Sequence, residues 1–251
     1  MKYLLILLLF LSHSVWADSH ALYNYQTSEY LDKQDTDSPR SIASITKLFT
    51  AMTIITSKQP LEEVLTVDCR NKGYVIKGSS ITRKDLLTAM IVASDNCAAE
   101  TLANNHTGGY HQFIIDRTAL IGSYNLKNTH LFDSTGLSPF NISTVDDLIA
   151  FAPIAYQDEF LRTISNLPQA SISARVKNKN VTIKLNNTNP AIYNHPEIIV
   201  SKTGFTSIAG RCVLMLVQKV QTVYAVVILG KPNLNSRTKE AERLLTKEKL
   251  S

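Results

Sequence analysis

Ser44 and Lys47 stand three residues apart at the head of the apolar run Leu48-Phe49-Thr50-Ala51-Met52. In a helix, side chains at i and i+3 share a face. A helix beginning at Ser44 would therefore bring the Lys47 amine to the serine oxygen. A hydroxyl is a weak nucleophile until a neighbouring base takes its proton. A lysine can be that base once burial or another cation lowers its pKa. The free N–H groups at a helix start would also stabilise an oxyanion on the carbonyl that Ser44 attacks. Alone, the spacing is weak support, because Ser236-Arg237-Thr238-Lys239 repeats it in a polar stretch.

Two further stretches carry suitable groups. Ser94-Asp95-Asn96 is a polar triplet between two apolar segments. Such a triplet either caps a helix or lines a cleft. Ser123-Tyr124-Asn125 repeats its Ser-x-Asn pattern in a surface-type turn. Lys202-Thr203-Gly204 occurs once, after the apolar stretch Ile198-Ile199-Val200. On a strand it sets an ammonium and a hydroxyl, both suited to a carboxylate, beside a residue without a Cβ. A substrate backbone can lie close along such an edge.

The elements that must position these groups follow from periodicity and turn chemistry. Ala21 to Leu31 reads as a strand or hairpin. The Ser44 helix runs to about Ser57, before Pro60. Leu65-Thr66-Val67 and Tyr74-Val75-Ile76 read as short strands. Thr82 with Asp85 opens a buried helix through Ala93, and a second starts at Cys97. Further helices are expected at about Tyr110 to Ile121, and from Ser143 with Asp146 to Tyr156. Two strands, Ser171 to Val176 and Val181 to Leu185, meet across Asn178-Lys179-Asn180. Cys212 to Val217 and Thr222 to Leu229 are apolar strands, and Arg237 to Leu245 a closing helix. Helices between N- and C-terminal strands imply an α+β fold, an antiparallel sheet with helices on both faces and a helical subdomain.

The chain has 251 residues, 44% hydrophobic and 19% charged, the composition of an ordinary folded protein. Residues 1–17 read as a cleaved signal peptide. Lys2 precedes the apolar run Tyr3 to Leu11, and Val15-Trp16-Ala17 suits signal peptidase. The run is too short to span a membrane comfortably. Cleavage after Ala17 removes one lysine and no acid, so the net charge falls from +5 to +4. Three cysteines in an exported chain leave at least one thiol unpaired. Cys212 reads as a core residue, Cys69 with Cys97 is the one pairing to consider, and its state stays open. The six histidines are scattered, without metal-ligand spacing; His13 falls in the signal peptide, and the others read as surface or capping residues.

Taken in order, Ser-x-x-Lys, Ser-Asp-Asn and Lys-Thr-Gly form the combined signature of penicillin-binding proteins and class A β-lactamases. From about Tyr23 to Leu229 the chain resembles the low-molecular-mass penicillin-binding proteins, the D-alanyl-D-alanine carboxypeptidases and endopeptidases. Asp133-Ser134-Thr135-Gly136-Leu137-Ser138, Asn187-Thr188-Asn189 and Lys202-Thr203-Gly204-Phe205-Thr206 make it most similar to the periplasmic D-alanyl-D-alanine endopeptidases. The resemblance implies a β-lactamase/transpeptidase-like fold, with residues 18–251 forming one serine D,D-peptidase domain in the periplasm. It implies that Ser44 attacks the D-alanine carbonyl to form an acyl-enzyme, with Lys47 as base. Ser94 would relay a proton to the leaving group. Asn96 would hold Lys47 and the substrate amide. Lys202 and Thr203 would bind a carboxylate beside Gly204, and the N–H groups of Ser44 and Phe205 would form the oxyanion hole. Expected partners are peptidoglycan stem peptides and β-lactams as covalent inhibitors, without metal, cofactor or nucleic acid. The charged segment 238–243 makes no convincing membrane anchor.

The rival readings rest on particular residues. A class A β-lactamase needs a Glu-x-x-Leu-Asn loop to activate the deacylating water, and Glu159-Phe160-Leu161-Arg162 is not one. A Ser-His-Asp hydrolase would need a Gly-x-Ser-x-Gly elbow, which the chain lacks. A non-catalytic wall-binding protein would have no use for the full set of reactive side chains. Endopeptidase and carboxypeptidase activity share their acyl chemistry and stay unresolved at this level.

Overall fold

The computed structural model describes residues 18–247, so the expected signal peptide lies outside the described residues. In chain order the first elements are β1 (Ser19–Asn24), β2 (Glu29–Gln34) and β3 (Arg40–Ser41). A 3-10 turn, Ala43–Ile45, leads into α1 (Thr46–Thr56), followed by β4 (Val64–Thr66) and β5 (Ser80–Thr82). Next come α2 (Arg83–Val92), α3 (Asn96–Asn104), α4 (Gly109–Ser123), β6 (Ile142–Ser143), α5 (Val145–Gln157) and α6 (Glu159–Ser165). The chain then forms β7 (Gln169–Val176), β8 (Lys179–Asn186), β9 (Ile198–Thr206), β10 (Gly210–Lys219), β11 (Thr222–Lys231) and α7 (Leu234–Leu245).

Five strands make an antiparallel sheet in the order β2-β1-β11-β10-β9. β10 and β11 are apolar at nearly every position because both faces are covered. Cys212, Leu214, Leu216, Ala225, Val227 and Leu229 face the helical body, including α5. Val213, Met215, Val217, Val226 and Ile228 meet Ala241, Leu244 and Leu245 of α7 on the opposite face. The expected α+β architecture, with helices on both faces, is the one found. α1 is buried over Thr46 to Ile54, and Phe49 stacks on Phe151 of α5 with ring centroids 3.8 Å apart. That burial, rather than helix propensity, holds α1 in place.

Several boundaries differ from the sequence reading. Tyr74-Val75-Ile76 is no strand, and β4 pairs with β5 instead. The Asp95 carboxylate takes the N–H groups of Tyr74 and Val75, the latter at 3.0 Å, so they are not free for a ladder. The cap of α5 is Thr144, one residue beyond the expected Ser143, and accepts from Asp147 N at 3.1 Å. Asp85 does not complete a capping box, because its carboxylate accepts the Ser173 N–H at 3.1 Å. The β7–β8 turn falls at Lys177 and Asn178, both with positive φ. Two residues in that conformation match the strand twist of a tight hairpin. His20 and His106 are buried rather than at the surface. His106 Nε2 lies 2.6 Å from Asp116 and its Nδ1 2.9 Å from Gln59, which satisfies both ring nitrogens.

Cys69 and Cys97 form a disulfide, and Cys212 is a buried free thiol. The bond ties the segment after β4 to the first turn of α3. Glu100 strengthens the tie by accepting the N–H groups of Arg70 at 2.7 Å and Asn71 at 3.0 Å. The bridged residues are 28 apart in sequence. Closing such a loop in the unfolded chain is worth about 3–4 kcal/mol in the chain-entropy treatment. Replacing both cysteines by serine should lower the unfolding free energy by that order in a denaturant titration. An unchanged midpoint would mean that Asp95 and Glu100 alone hold the segment.

Candidate active site

Ser44 sits in the 3-10 turn ahead of α1, not at the first residue of the α-helix as expected. Ala43, just before it, has φ of +46°. That conformation costs a non-glycine residue about 1–2 kcal/mol and persists only where neighbours enforce it. The neighbours are two glycines. A Cβ on Gly204 would stand 2.8 Å from the Ile42 carbonyl and 2.9 Å from Ser44 N. Gly136, at φ +87°, also lies against the Ala43 carbonyl and Ser44 N. The turn that carries Ser44 is thus held by β9 and the 133–138 loop.

Lys47 is fully buried. Its Nζ lies 3.0 Å from Ser44 Oγ, 2.7 Å from Asn96 Oδ1 and 2.5 Å from the Thr135 carbonyl oxygen. Burial lowers its pKa to about 7, although the Asp133 and Asp95 carboxylates pull the other way. A neutral amine has two N–H groups and one lone pair. Asn96 Oδ1 and the Thr135 carbonyl can only accept, so they hold the two N–H groups. The lone pair is left facing the Ser44 hydroxyl, which can donate to it. The geometry therefore suits proton removal from Ser44.

The Thr135 carbonyl is aimed by its own loop. Asp133 Oδ1 accepts from Thr135 N at 2.7 Å and Gly136 N at 2.6 Å, and Oδ2 accepts from Ser138 N at 2.7 Å. Burial pushes the Asp133 carboxyl up, but these N–H bonds outweigh it and hold the pKa below the ordinary value. Arg117 of α4, itself buried, donates to the carbonyls of Asp133 at 2.5 Å and Leu131 at 2.6 Å.

Ser94 has φ of +57°, the second non-glycine residue near the site in the left-handed region. Lys202 Nζ donates to Ser94 Oγ at 2.9 Å and to the Thr203 carbonyl at 3.0 Å. Burial, then the nearby Lys47 and Arg237 cations, push the Lys202 amine well below its usual pKa. An incoming carboxylate would relieve both cationic effects. Thr203 Oγ1 lies 2.6 Å from Thr188 Oγ1, so two hydroxyls stand side by side. Phe205, half exposed on β9, is covered by the Arg211 guanidinium at 3.7 Å from the ring centroid. Asp95, the middle residue of the triplet, does not face substrate. It caps α3 by accepting from Ala98 N at 2.7 Å and holds the 74–75 backbone.

The structure thus gathers Ser44, Lys47, Asn96, Ser94, Lys202, Thr203 and Gly204 into one region. The look-alike Ser236 is instead in a capping box with Asn233 at the start of α7, and Lys239 is exposed. Four contributors escaped the sequence reading: the Thr135 carbonyl, Thr188, Arg117 and Arg237. Thr135 and Thr188 stand in the motif-flanking segments 133–138 and 187–189. Arg237 belongs to the Ser236-Arg237-Thr238-Lys239 look-alike, and no local pattern marks Arg117. A polar cleft of about 620 Å³ opens beside Thr135, between the 68–77 segment, α3 and Leu137. Among the described residues, no three His, Cys, Asp or Glu side chains are placed to hold a metal ion.

Several known proteins are similar to this chain. A D-alanyl-D-alanine endopeptidase of Pseudomonas aeruginosa is 35% identical over 213 residues, 82% of this chain and 68% of that protein. The one from Escherichia coli is 32% identical over 236 residues, 91% of this chain and 76% of that protein. The Streptomyces K15 DD-transpeptidase superposes with a TM-score of 0.84 at 22% identity, over 90% of this chain and 94% of that one. Penicillin-binding protein D2 of Listeria monocytogenes, in a cefotaxime-bound form, gives 0.80 at 22% identity, over 92% and 96%. These two likenesses establish the fold. The D-alanyl-D-alanine carboxypeptidase family itself matches residues 11–233, nearly the whole length, and the chain belongs to that family.

Proposed function

We propose that this chain is a serine D,D-peptidase that works on peptidoglycan through an acyl-enzyme on Ser44, with D-alanyl-D-alanine cross-links as preferred substrates. The observation that carries this reading is the Lys47 amine, buried, lowered in pKa and held by two pure acceptors with its lone pair toward Ser44. In the first step Ser44 Oγ attacks the D-alanine carbonyl and its proton passes to Lys47. The oxyanion is met by the N–H groups of Ser44 and Phe205. As the tetrahedral centre collapses to an ester, Ser94, bonded to Lys202, passes its proton to the departing amine and takes one from the Lys47 ammonium, which leaves Lys47 neutral again for the water step. Water then repeats the sequence on that ester and releases a carboxylate and free Ser44. Lys202 and Thr203, with Arg237 behind them, suit a carboxylate near the scissile bond, and the cleft beside Thr135 gives the stem peptide room. A β-lactam, whose carboxylate stands close to a reactive carbonyl, would acylate the same serine.

The preference for cross-links draws support from relatives at 35% and 32% identity named D-alanyl-D-alanine endopeptidase. An Escherichia coli protein named D-alanyl-D-alanine carboxypeptidase is 27% identical. Residues 18–251 would act as one domain in the periplasm after removal of residues 1–17. The test is mass spectrometry of purified muropeptide dimers incubated with mature protein and with Ser44→Ala. Monomers formed only by the intact serine are expected. Dimers left intact while pentapeptides lose one D-alanine would make it a carboxypeptidase. No change in either would return the binding-protein reading.

A further inference from the structure

The β7–β8 hairpin holds four cations, Arg175, Lys177, Lys179 and Lys184, and residues 169–186 contain no acid. The whole chain has a net charge of only +5, so this hairpin carries most of the excess. All four side chains are exposed. Among the described residues none meets a carboxylate within 4 Å. Arg175 has only a 3.4 Å contact to Asn178 Oδ1. Arg175, Lys177 and Asn178 also line an open groove of about 400 Å³ with Ser80 of β5 and Gly78 of the turn before it. The inner face of the hairpin is satisfied, since Ile172, Ala174 and Leu185 are buried. Its outward residues alternate as cations, hydroxyls and amides: Ser171 opposite Lys184, Ser173 opposite Thr182, Arg175 opposite Asn180.

Position gives this charge a use. β8 is an edge of its four-stranded sheet and runs straight into Thr188, whose hydroxyl meets Thr203 in the site. Eight residues of strand reach about 26 Å from the tip to that end. Every amide that a D,D-peptidase hydrolyses leaves a carboxylate on the polymer it has just cut. By register Arg175 and Lys184 share the outward face, Lys177 lies in the turn, and Lys179, opposite Val176, stands on the other face at the exposed tip, so free cations run from the tip to Lys184 on the strand that leads into the site. We infer that the cationic tip and outward face of the β7–β8 hairpin dock the substrate polymer, binding the carboxylate ends of stem peptides neighbouring the one in the site. Docking there would hold the enzyme on polymer already cut and concentrate it near the next bond. Lysines on an edge strand also deter pairing between copies, so binding is compared where both proteins elute as monomers.

The inference takes its polymer from the proposed function, and the test separates the two. Mature protein is sedimented with isolated peptidoglycan sacculi across a salt series, while Ser44 acylation by a soluble fluorescent penicillin is followed separately. The protein should pellet at low salt and release at high salt, because exposed charges are screened. The variant with Arg175, Lys177, Lys179 and Lys184 all replaced by glutamine should bind about tenfold or more weakly and acylate at the parental rate. A variant with Lys33, Lys58, Lys127 and Lys239 replaced by glutamine has the same net charge and should pellet like the parent. Amidation of the sacculus carboxylates should abolish parental binding. Equal pelleting by the hairpin variant, equal loss in the control variant, or binding that survives amidation would each overturn the inference. Failure of acylation in the parent would instead strike the proposed function.

Discussion

Replacing Lys47 by methionine lowers the rate at which a fluorescent penicillin acylates Ser44 by about 10²- to 10⁴-fold, the usual worth of a positioned general base. Methionine nearly matches the length and apolar stem of lysine, so the buried site stays filled. The unsubstituted protein gives the companion result. Its acylation rate rises with pH through about 7, where burial has placed the Lys47 pKa, and is flat above it. The sign follows from the role. Only the neutral amine takes a proton, and below about 7 the amine already holds one. Burial also makes stability depend on pH in the same direction. Between about 7 and the ordinary 10.5 the unfolded chain keeps the proton that the folded chain has lost, so folding is favoured as pH rises through that window. Stopped-flow acylation from pH 5 to 9 checks the profile. A rate already at its plateau at pH 5 would show that Lys47 is not the base.

Gly136→Ala is expected to cost more than any other single methyl group in the site. Its φ of +87° alone penalises an L-residue by about 1–2 kcal/mol. The new Cβ would meet the Ala43 carbonyl and lie 2.8 Å from Ser44 N, both backbone atoms that cannot rotate aside. Relieving such an overlap costs about 1–3 kcal/mol more. Relief requires the Ser44 turn or the 133–138 loop to shift, which moves Ser44 relative to the Thr135 carbonyl that holds Lys47, and a displacement near 1 Å costs on the order of 10²-fold in rate. Gly122→Ala, within α4 and with no atom within 4 Å of its Cβ, is the control. It should be neutral or stabilise by up to about 1 kcal/mol. Denaturant midpoints and acylation rates of the two variants decide the matter. Wild-type acylation in Gly136→Ala would show that the 133–138 loop does not set the position of Ser44.

How much was legible beforehand varies with the kind of signal. Helices and strands with a strong apolar pattern, such as β10, β11, α1 and α2, were read within a few residues, because burial on one or both faces writes itself into local periodicity. The error at Tyr74-Val75-Ile76 has the opposite cause. Its apolar pattern suits a strand, but a carboxylate twenty residues ahead in the chain takes its N–H groups. Likewise α5 begins one residue later than read, since Ser143 and Thr144 are both good caps and only packing chooses between them.

The chain by itself determined which groups are available to react: a hydroxyl with an amine three residues on, a polar triplet between apolar helices, and a cation beside a glycine on a strand. These are local facts of residue type and spacing, and they sufficed for the family resemblance. Tertiary structure alone decided how the groups work. The Thr135 carbonyl is a backbone atom invisible to any side-chain pattern, yet it fixes one N–H of Lys47. Burial, which sets the Lys47 pKa, comes from α1 packing against elements far along the chain. Gly136 and Gly204, 92 and 160 positions further on, both press on the Ser44 turn. Contacts at such separations depend on how the sheet and helices dock, so no local stretch of sequence could specify them.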